Sequence, residues 1–349
     1  MLKNESANVC AHALMESFRA SISLSSLDLH DERHMHPISK TVTNEYIILC
    51  ILILNLLCKV KQKYNKCLSF RIFIFIFAQI FVLMLKFKSF GSGSSGNCYY
   101  LSNGEDALLI DAGVGIRALK RYFKEAQLKF DNVRGVLITH DHADHIKAVA
   151  HLANDYRIPV YTTTKIHEGI RKSYCVTEKI EAEYVKLLEK EQETEIGCFS
   201  VCSFEVPHDG TDNVGYRIRT EGKTFCVLTD IGHITPTAEQ MIKDANYLVL
   251  ESNYDNSMLE MGPYPAYLKE RIGGENGHLC NTDAAKALAD NYHEGLTHVW
   301  LCHLSEENNH PTIVEKCIGA HLYEIGLIVG KDISIEVLRR KVPSDMYEL

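Results

Sequence analysis

Residues 84–349 predict an α/β sandwich, with sheets in the middle and helices outside, and three observations carry that reading. Short apolar runs of strand length recur along the segment, from "CYYLS" (98–102) to "DISIEVL" (332–338). Stretches of helical period lie between them; in 145–154, Ile146, Val149, Ala150 and Ala153 fall on one face. No repeat, low-complexity linker or compositional break divides the segment, so strands and helices belong to one domain of mixed layers.

The first 83 residues read as foreign to that pattern. Residues 1–45 show neither strand nor helix period and are expected to be disordered. Two apolar stretches follow, "YIILCILILNLLC" (46–58) and "FRIFIFIFAQIFVLML" (70–85), separated by the basic "KVKQKYNK". Each is shorter than the roughly 18–20 residues that span a bilayer as a helix. They also lie too far from the N-terminus for a signal peptide. The expectation is an N-terminal extension, residues 1–83, that is not part of the functional protein. On this reading the domain opens at Met84 with "MLKFKSFGSGSSGNCYYL", is cytoplasmic, and has no stable membrane association. The alternative is a membrane anchor through 46–85 with its basic segment on the cytoplasmic side.

From there the expected strands are "CYYLS" (98–102), "ALLIDAG" (107–113), "GVLITH" (135–140), "IPVYTT" (158–163) and "FSVCSFEV" (199–206). "VGYRIRT" (214–220), "KTFCVLTD" (223–230), "YLVLES" (247–252), "HVWLCHL" (298–304) and "DISIEVL" (332–338) complete them. Helices are expected over 145–154, 282–292 and 311–325, the last two beginning at good caps.

Charge and cysteine usage narrow the function classes. Residues 1–83 carry 9 Lys/Arg against 6 Asp/Glu, so the body carries 28 against 39, a balance of −11. Broad, non-specific binding to nucleic acid is disfavoured by such an acidic body, although bound divalent metals would add local positive charge. The 12 cysteines form no CxxC pair or regular spacing, so they read as small buried residues in a reducing compartment.

"VLITHDHADHIKAV" (136–149) crowds three histidines and two aspartates behind an apolar run. Residues two apart after a strand share a side, so His140 and His142 can grip one ion. Asp144 and His145 then begin a helix, whose unpaired N–H groups and dipole would keep the carboxylate ionised. Two neighbouring ligand clusters, N,N and then O,N, suit a pair of metal ions. Further candidates stand where later strands run out: His208 in "EVPHDG", Asp230 in "LTDIG" and His303 in "WLCHLS". Their appearance in this order after HxHxDH is what makes a metal centre the better reading than a set of unrelated turn residues.

With these residues in place, the body from Met84 onward resembles the metallo-β-lactamase-fold hydrolases, αββα four-layer sandwiches with a binuclear metal site. The matching positions are Asp111 in "LLIDAG", "THDHADH", His208, Asp230 and His303. The resemblance implies one ion held by His140, His142 and His208, and another by Asp144, His145 and His303, with Asp230 bridging. It makes Asp111 structural. "SGSSGNCYYL", "GPYPAYLKERI", "GHLCN" and "HLSEENNHP" further resemble the YycJ (WalJ) group, to which nuclease activity is ascribed. "ESNYD" (251–255), "GHLCN" (277–281) and "LCHLS" (301–305) are similar to the last third of RNase Z, where the matching histidine, His278 here, is assigned to proton donation. Only 22 residues separate His208 from Asp230, too few for the tRNA-holding arm of RNase Z. The 73 between Asp230 and His303 are too few for the extra domain of the RNase J type, so substrate recognition must differ.

The resemblance thus implies metal-assisted hydrolysis in which two divalent ions share a bridging hydroxide; Asp144 orients that group and His278 protonates the leaving alkoxide. Histidine-rich ligation suits zinc, with manganese as a replacement. The expected function is a nuclease or phosphodiesterase acting on DNA or RNA; the alternative is a small-ester or thioester hydrolase of the glyoxalase II type. A thiolate leaves without a proton donor, so "GHLCN" favours the first. A β-lactamase ranks below both, since nothing points to export, and an intact ligand set argues against a non-catalytic module. "GSGSSGN" (91–97) lacks the ending of a P-loop and reads as a tight turn near the site. Tyr264 and Tyr267 offer faces for stacking but read first as packing residues, and Lys269 and Arg271 read as a solvated helix face rather than a phosphate clamp. His151, His167, His293 and His298 read as structural; His233 and His310 lie near the site in sequence.

Overall fold

Along the central strands of one sheet, successive side chains enter two different apolar cores. Phe225 and Val227 join one and Cys226 and Leu228 the other. The same alternation sends Val249 and Trp300 to the first core, and Leu248, Leu250, Val299 and Leu301 to the second. A strand buried on both faces needs apolar residues at every position, which is why these segments read as continuous runs. Described in the computed structural model are residues 85–349; the expectations for residues 1–83, and the opening at Met84 itself, lie outside the described residues.

The first sheet comprises β1 (Lys86–Gly91), β2 (Cys98–Ser102), β3 (Ala107–Ile110), β4 (Val133–Leu137), β5 (Val160–Thr162) and β6 (Val185–Leu187), with β14 (Tyr347–Glu348) on the outer edge of β1. The second comprises β7 (Glu193–Ile196), β8 (Phe199–Glu205), β9 (Val214–Thr220), β10 (Lys223–Leu228), β11 (Tyr247–Glu251), β12 (His298–Cys302) and β13 (Ser334–Val337), in that order across the sheet. Each sheet is antiparallel on one side and parallel on the other. Pairing turns parallel from β3 through β6 and from β10 through β13.

Helices α1 (Ile116–Glu125), α2 (Ala143–Ile146), α3 (Val149–Tyr156) and α4 (Thr164–Lys172) follow strands of the first sheet. Leu119 and Phe123 of α1, Leu152 of α3 and Ile166 and Ile170 of α4 enter the core that includes the first sheet. Helices α5 (Pro236–Asp244), α8 (Asn281–Asn291) and α9 (Pro311–Glu324) cover the outer face of the second sheet through Ile242, Leu288 and Ile318. The short α6 (Asn256–Met261) and α7 (Ala266–Ile272) form a hairpin around a small cluster of Tyr254, Leu259 and Cys280. The result is the αββα arrangement expected from the resemblance. Among the described residues, no helix is long and apolar enough to cross a membrane.

Three local expectations need correction. The helix expected over 145–154 is two helices, broken at Lys147 and Ala148. The helix expected over 282–292 begins one residue earlier, at Asn281, and its N-cap is Cys280, whose Sγ accepts from the Asp283 N–H at 3.4 Å. Strand β3 stops at Ile110 rather than running on through 113, because Asp111 adopts a left-handed backbone with φ 60°. Among the described residues every cysteine is free.

Candidate metal centre

The parallel strands end side by side, and the chemistry-bearing residues sit just past those ends. Asp111 follows β3, His140 lies three residues past β4, Asp230 two past β10, Glu251 closes β11 and His303 follows β12. Asp111, Asp230 and His303 are all left-handed, with φ of 60°, 51° and 53°. Each such residue costs about 1–3 kcal/mol and is held only where surrounding contacts over-determine it. The bend turns each side chain from the sheet into the space between the strand ends.

All seven candidate ligands meet there. His140, His142 and His208 place one ring nitrogen each within 4.8 Å of one another, and Asp144, His145 and His303 make a second such group. Asp230 lies between the two: Oδ1 is 3.8 Å from His208 Nε2, and Oδ2 is 3.3 Å from His145 Nε2. Nε2 of His140, His208 and His303 is buried with no hydrogen-bond partner. Buried imidazole nitrogens are normally satisfied, so three orphans aimed into one acidic cavity fit divalent metal ions.

The opposite ring nitrogens are committed, which fixes the rings. Asp111, fully buried, takes His145 Nδ1 at 2.7 Å on Oδ2 and the Thr139 N–H at 2.9 Å on Oδ1, so its structural role matches its position. His140 Nδ1 meets Thr139 Oγ1 at 3.0 Å, and His208 Nδ1 donates to the Gly277 carbonyl at 2.8 Å. The glycine-rich turn reaches the other side of the His145 ring, the nitrogen that faces Asp230. Asn97 bonds His145 Nε2 at 2.9 Å through Nδ2, and its backbone N–H donates to the Asp144 carbonyl at 2.8 Å. A Cβ on Gly113 would stand 1.5 Å from that carbonyl oxygen, so only glycine fits.

His278 joins neither of these two clusters, but its ring nitrogen lies within 4.8 Å of ligand atoms of Asp230, Glu251 and His303. Its Nδ1 donates to Glu251 Oε1 at 2.8 Å, and its side chain is 19% exposed. Glu251 is fully buried and was not singled out from sequence. It also takes His303 Nδ1 at 3.0 Å and the N–H groups of Ile231 and Leu279 at 2.9 and 3.1 Å. A second missed residue is Asp209, whose Oδ1 lies 3.4 Å from Nε2 of both His142 and His208. Glu251 looks like an ordinary strand end in sequence and is brought to the site by sheet pairing, whereas Asp209 comes with its neighbour His208.

Burial pushes the Asp144 carboxyl up, but the positive charge of His145 and His303 outweighs it and brings the pKa down to about 2. This corrects the helix-dipole argument: α2 has four residues, too few for a substantial macrodipole, and the histidines keep the carboxylate ionised. Burial pushes the His145 imidazole down, yet the carboxylates of Asp111, Asp230 and Asp144 raise it to about 9. Burial raises Glu251 as well, but His278 and His303 hold it below its ordinary value.

The remaining histidines have local duties. His310 caps α9, His233 Nδ1 donates to the Glu275 carbonyl, and His293 spans the Ala245 carbonyl and the Gly295 N–H. His167 meets the Lys186 carbonyl, His151 pairs with Asp155, and His298 stacks on Trp300.

A family model described as a β-lactamase superfamily domain matches residues 107–303. Exodeoxyribonuclease YycJ of Bacillus anthracis is 35% identical over 260 residues, 74% of this chain and 97% of that protein. Exodeoxyribonuclease WalJ of Streptococcus pneumoniae is 31% identical over 250 residues, 72% of this chain and 93% of that protein. The solved structure of the metallo-β-lactamase fold protein YhfI from Bacillus subtilis matches with a TM-score of 0.56 at 17% identity, covering 75% of this chain and 99% of that one. Strand ends, histidine clusters and relatives agree: the chain belongs to the β-lactamase superfamily and is a hydrolase of the metallo-β-lactamase fold.

Proposed function

We propose that the chain is a metal-dependent nuclease that hydrolyses phosphodiester bonds in DNA. The observation that carries this reading is the His278–Glu251 pair at the edge of the histidine clusters. With Nδ1 donating to Glu251, Nε2 is the ring position of His278 left to hand a proton to a leaving group. A departing alkoxide needs that proton, whereas a thiolate does not. The names of the YycJ and WalJ relatives support DNA as the substrate.

His140, His142 and His208 would hold one ion and Asp144, His145 and His303 the other, with Asp230 reaching both. Five imidazoles among these seven groups favour zinc over magnesium or calcium, with manganese able to substitute. The ions would lower the pKa of a bound water and neutralise charge developing on the phosphoryl oxygens. Asp144, held ionised, accepts a hydrogen bond from the attacking water and aims it at phosphorus. Glu251 keeps the His278 ring in register.

The full chain, supplied in turn with zinc and manganese, is expected to degrade labelled DNA and to leave thioesters untouched. Rapid thioester hydrolysis with no cleavage of DNA or RNA would overturn the reading. His278→Ala should retain its metals yet slow DNA cleavage by roughly 10²–10⁴-fold, the range for one proton-transfer group. The loss should shrink on a nitrophenyl phosphodiester, whose leaving group needs no proton; an equal loss on both would assign His278 to positioning instead.

A further inference from the structure

Of the five imidazoles in the two clusters, four have one ring nitrogen committed and the other aimed at the centre. Nδ1 is engaged by Thr139 in His140, by Asp111 in His145, by the Gly277 carbonyl in His208 and by Glu251 in His303. His142 is the exception. Among the described residues no hydrogen bond fixes its ring, and it is the least buried of the five, with 31% of its side chain exposed. A metal-binding ring that is free to turn costs affinity, so its outer nitrogen normally meets an acceptor.

Asp209 is the acceptor in position. Its Oδ1 lies 3.4 Å from Nε2 of both His142 and His208, but only one of those nitrogens can donate to it. A neutral imidazole carries one N–H, and His208 gives its own to the Gly277 carbonyl at 2.8 Å. Nε2 of His208 is therefore bare and left for an ion, and His142 is the donor. With its Nε2–H given to Asp209, His142 offers Nδ1 to the metal, the reverse of the other four rings. Asp111 holds His145 in the same way through the other nitrogen. Asp209 itself falls outside every group of potential ligand atoms that lie within 4.8 Å of one another.

Asp209 is held in turn from α7. Arg271 Nε donates to its Oδ2 at 2.6 Å, which leaves Oδ1 for the imidazole side. The residue after Arg271 holds the loop of the general acid, since the His278 N–H donates to the Ile272 carbonyl at 2.8 Å. A Cβ on Gly277 would come within 2.3 Å of the Arg271 carbonyl, so helix and loop pack without room for a side chain. We propose that Asp209 and Arg271 form a positioning pair for the ion of His140, His142 and His208. Asp209 accepts the His142 Nε2–H and turns Nδ1 to the metal; Arg271 fixes Asp209 from the helix that also anchors the His278 loop. Asp209 is a positioning residue and binds neither ion. The proposal rests on the metal assignment above and adds to it the group that orients the least buried ligand.

The test uses the full chain loaded with zinc and read by chelator competition, which follows the two ions as separate steps. Asp209→Ala should weaken one ion by roughly 10- to 100-fold, the range for a residue that orients a metal ligand, and leave the other unchanged. The weakened step should be the one that His142→Ala removes, not the one that His303→Asn removes. Asp209→Asn, whose amide oxygen still accepts a hydrogen bond, should recover much of the loss. In cobalt-loaded protein, Asp209→Ala should also shift the visible absorption bands of the weakened ion, because a turned ring changes its ligand field. Thermal melting checks that each variant is folded. A folded Asp209→Ala protein that holds both ions as the wild type does would overturn the pair, as would equal weakening of both ions. Asp209→Asn falling as far as Asp209→Ala would tie the effect to charge alone and overturn it too. If the wild type binds no divalent ion, the metal assignment itself falls; if it binds two and Asp209→Ala matches it, only the role of Asp209 is wrong.

Discussion

Asp230 turns Oδ2 towards His145 and sets Oδ1 between His208 at 3.8 Å and His303 at 3.1 Å, so the one carboxylate touches both clusters. The metal-loaded protein should hold about two divalent ions per chain. Asn tolerates a left-handed backbone, so Asp230→Asn keeps the φ of 51° while halving the ligand's capacity. Elemental analysis should show both ions depleted in Asp230→Asn, but mainly one in His303→Asn. A single ion in the saturated wild type would rule out the binuclear arrangement. The same charges make the metal-free fold sensitive to pH. His145 is raised to about 9, above its ordinary 6.5, by the carboxylates that outweigh its burial. Its contribution to stability is therefore complete below about pH 6.5 and is lost as pH rises through about 9. Chelated protein should be less resistant to urea at pH 9 than at pH 6.5; equal midpoints would show that His145 is not charged in the metal-free fold. Metal binding must expel that proton, so affinity should climb over the same interval.

At the scale of elements, the strand-to-loop junctions do the positioning, and Gly113 marks the tightest of them. A methyl group there meets the Asp144 carbonyl oxygen at 1.5 Å and the Asn97 nitrogen at 2.8 Å. Gly113→Ala should therefore push the glycine-rich turn off α2, costing about 3 kcal/mol, the upper end for overpacking, and reducing metal content. Gly115→Ala, with nothing within 4 Å of its Cβ, is the control and should change neither urea midpoint nor metal content. Sequence reading recovers these elements unevenly, for a physical reason. Ten strands are legible as apolar runs: nine are central, where one or both faces are covered, and the tenth is the edge strand β13, while the central β1, with Lys86, Lys88 and Ser89, is not. Edge strands β6, β7 and β14 expose part of their side chains and carry no such signal. HxHxDH is legible because its residues are contiguous. Glu251 is not, since it becomes a partner of His278 and His303 only when parallel pairing sets β11 between β10 and β12. The Cys280 cap is equally hidden, because sulfur is a weak acceptor that composition rules pass over.

At the scale of the whole molecule, the described residues 85–349 supply two apolar cores and the candidate centre. Leu85 is already buried in the first core, and its carbonyl accepts the Leu349 N–H at 2.8 Å, so the two ends of this segment close the edge of the first sheet together. β1 pairs with β14 on one side and β2 on the other, which leaves its hydrogen-bonding edges occupied. Among the described residues β1 is thus paired on both sides, and the expected opening at Met84 falls two residues before it. A chain starting at Met84 should therefore be soluble, melt within a few degrees of the full protein, bind the same number of ions and cleave DNA at the same rate. Paired calorimetry, elemental analysis and nuclease assays on the two lengths decide the matter. If the shorter chain aggregates or loses activity while the full chain does neither, residues 1–83 belong to the working protein. Recovery of the native protein with membranes would favour the anchor reading of 46–85 instead.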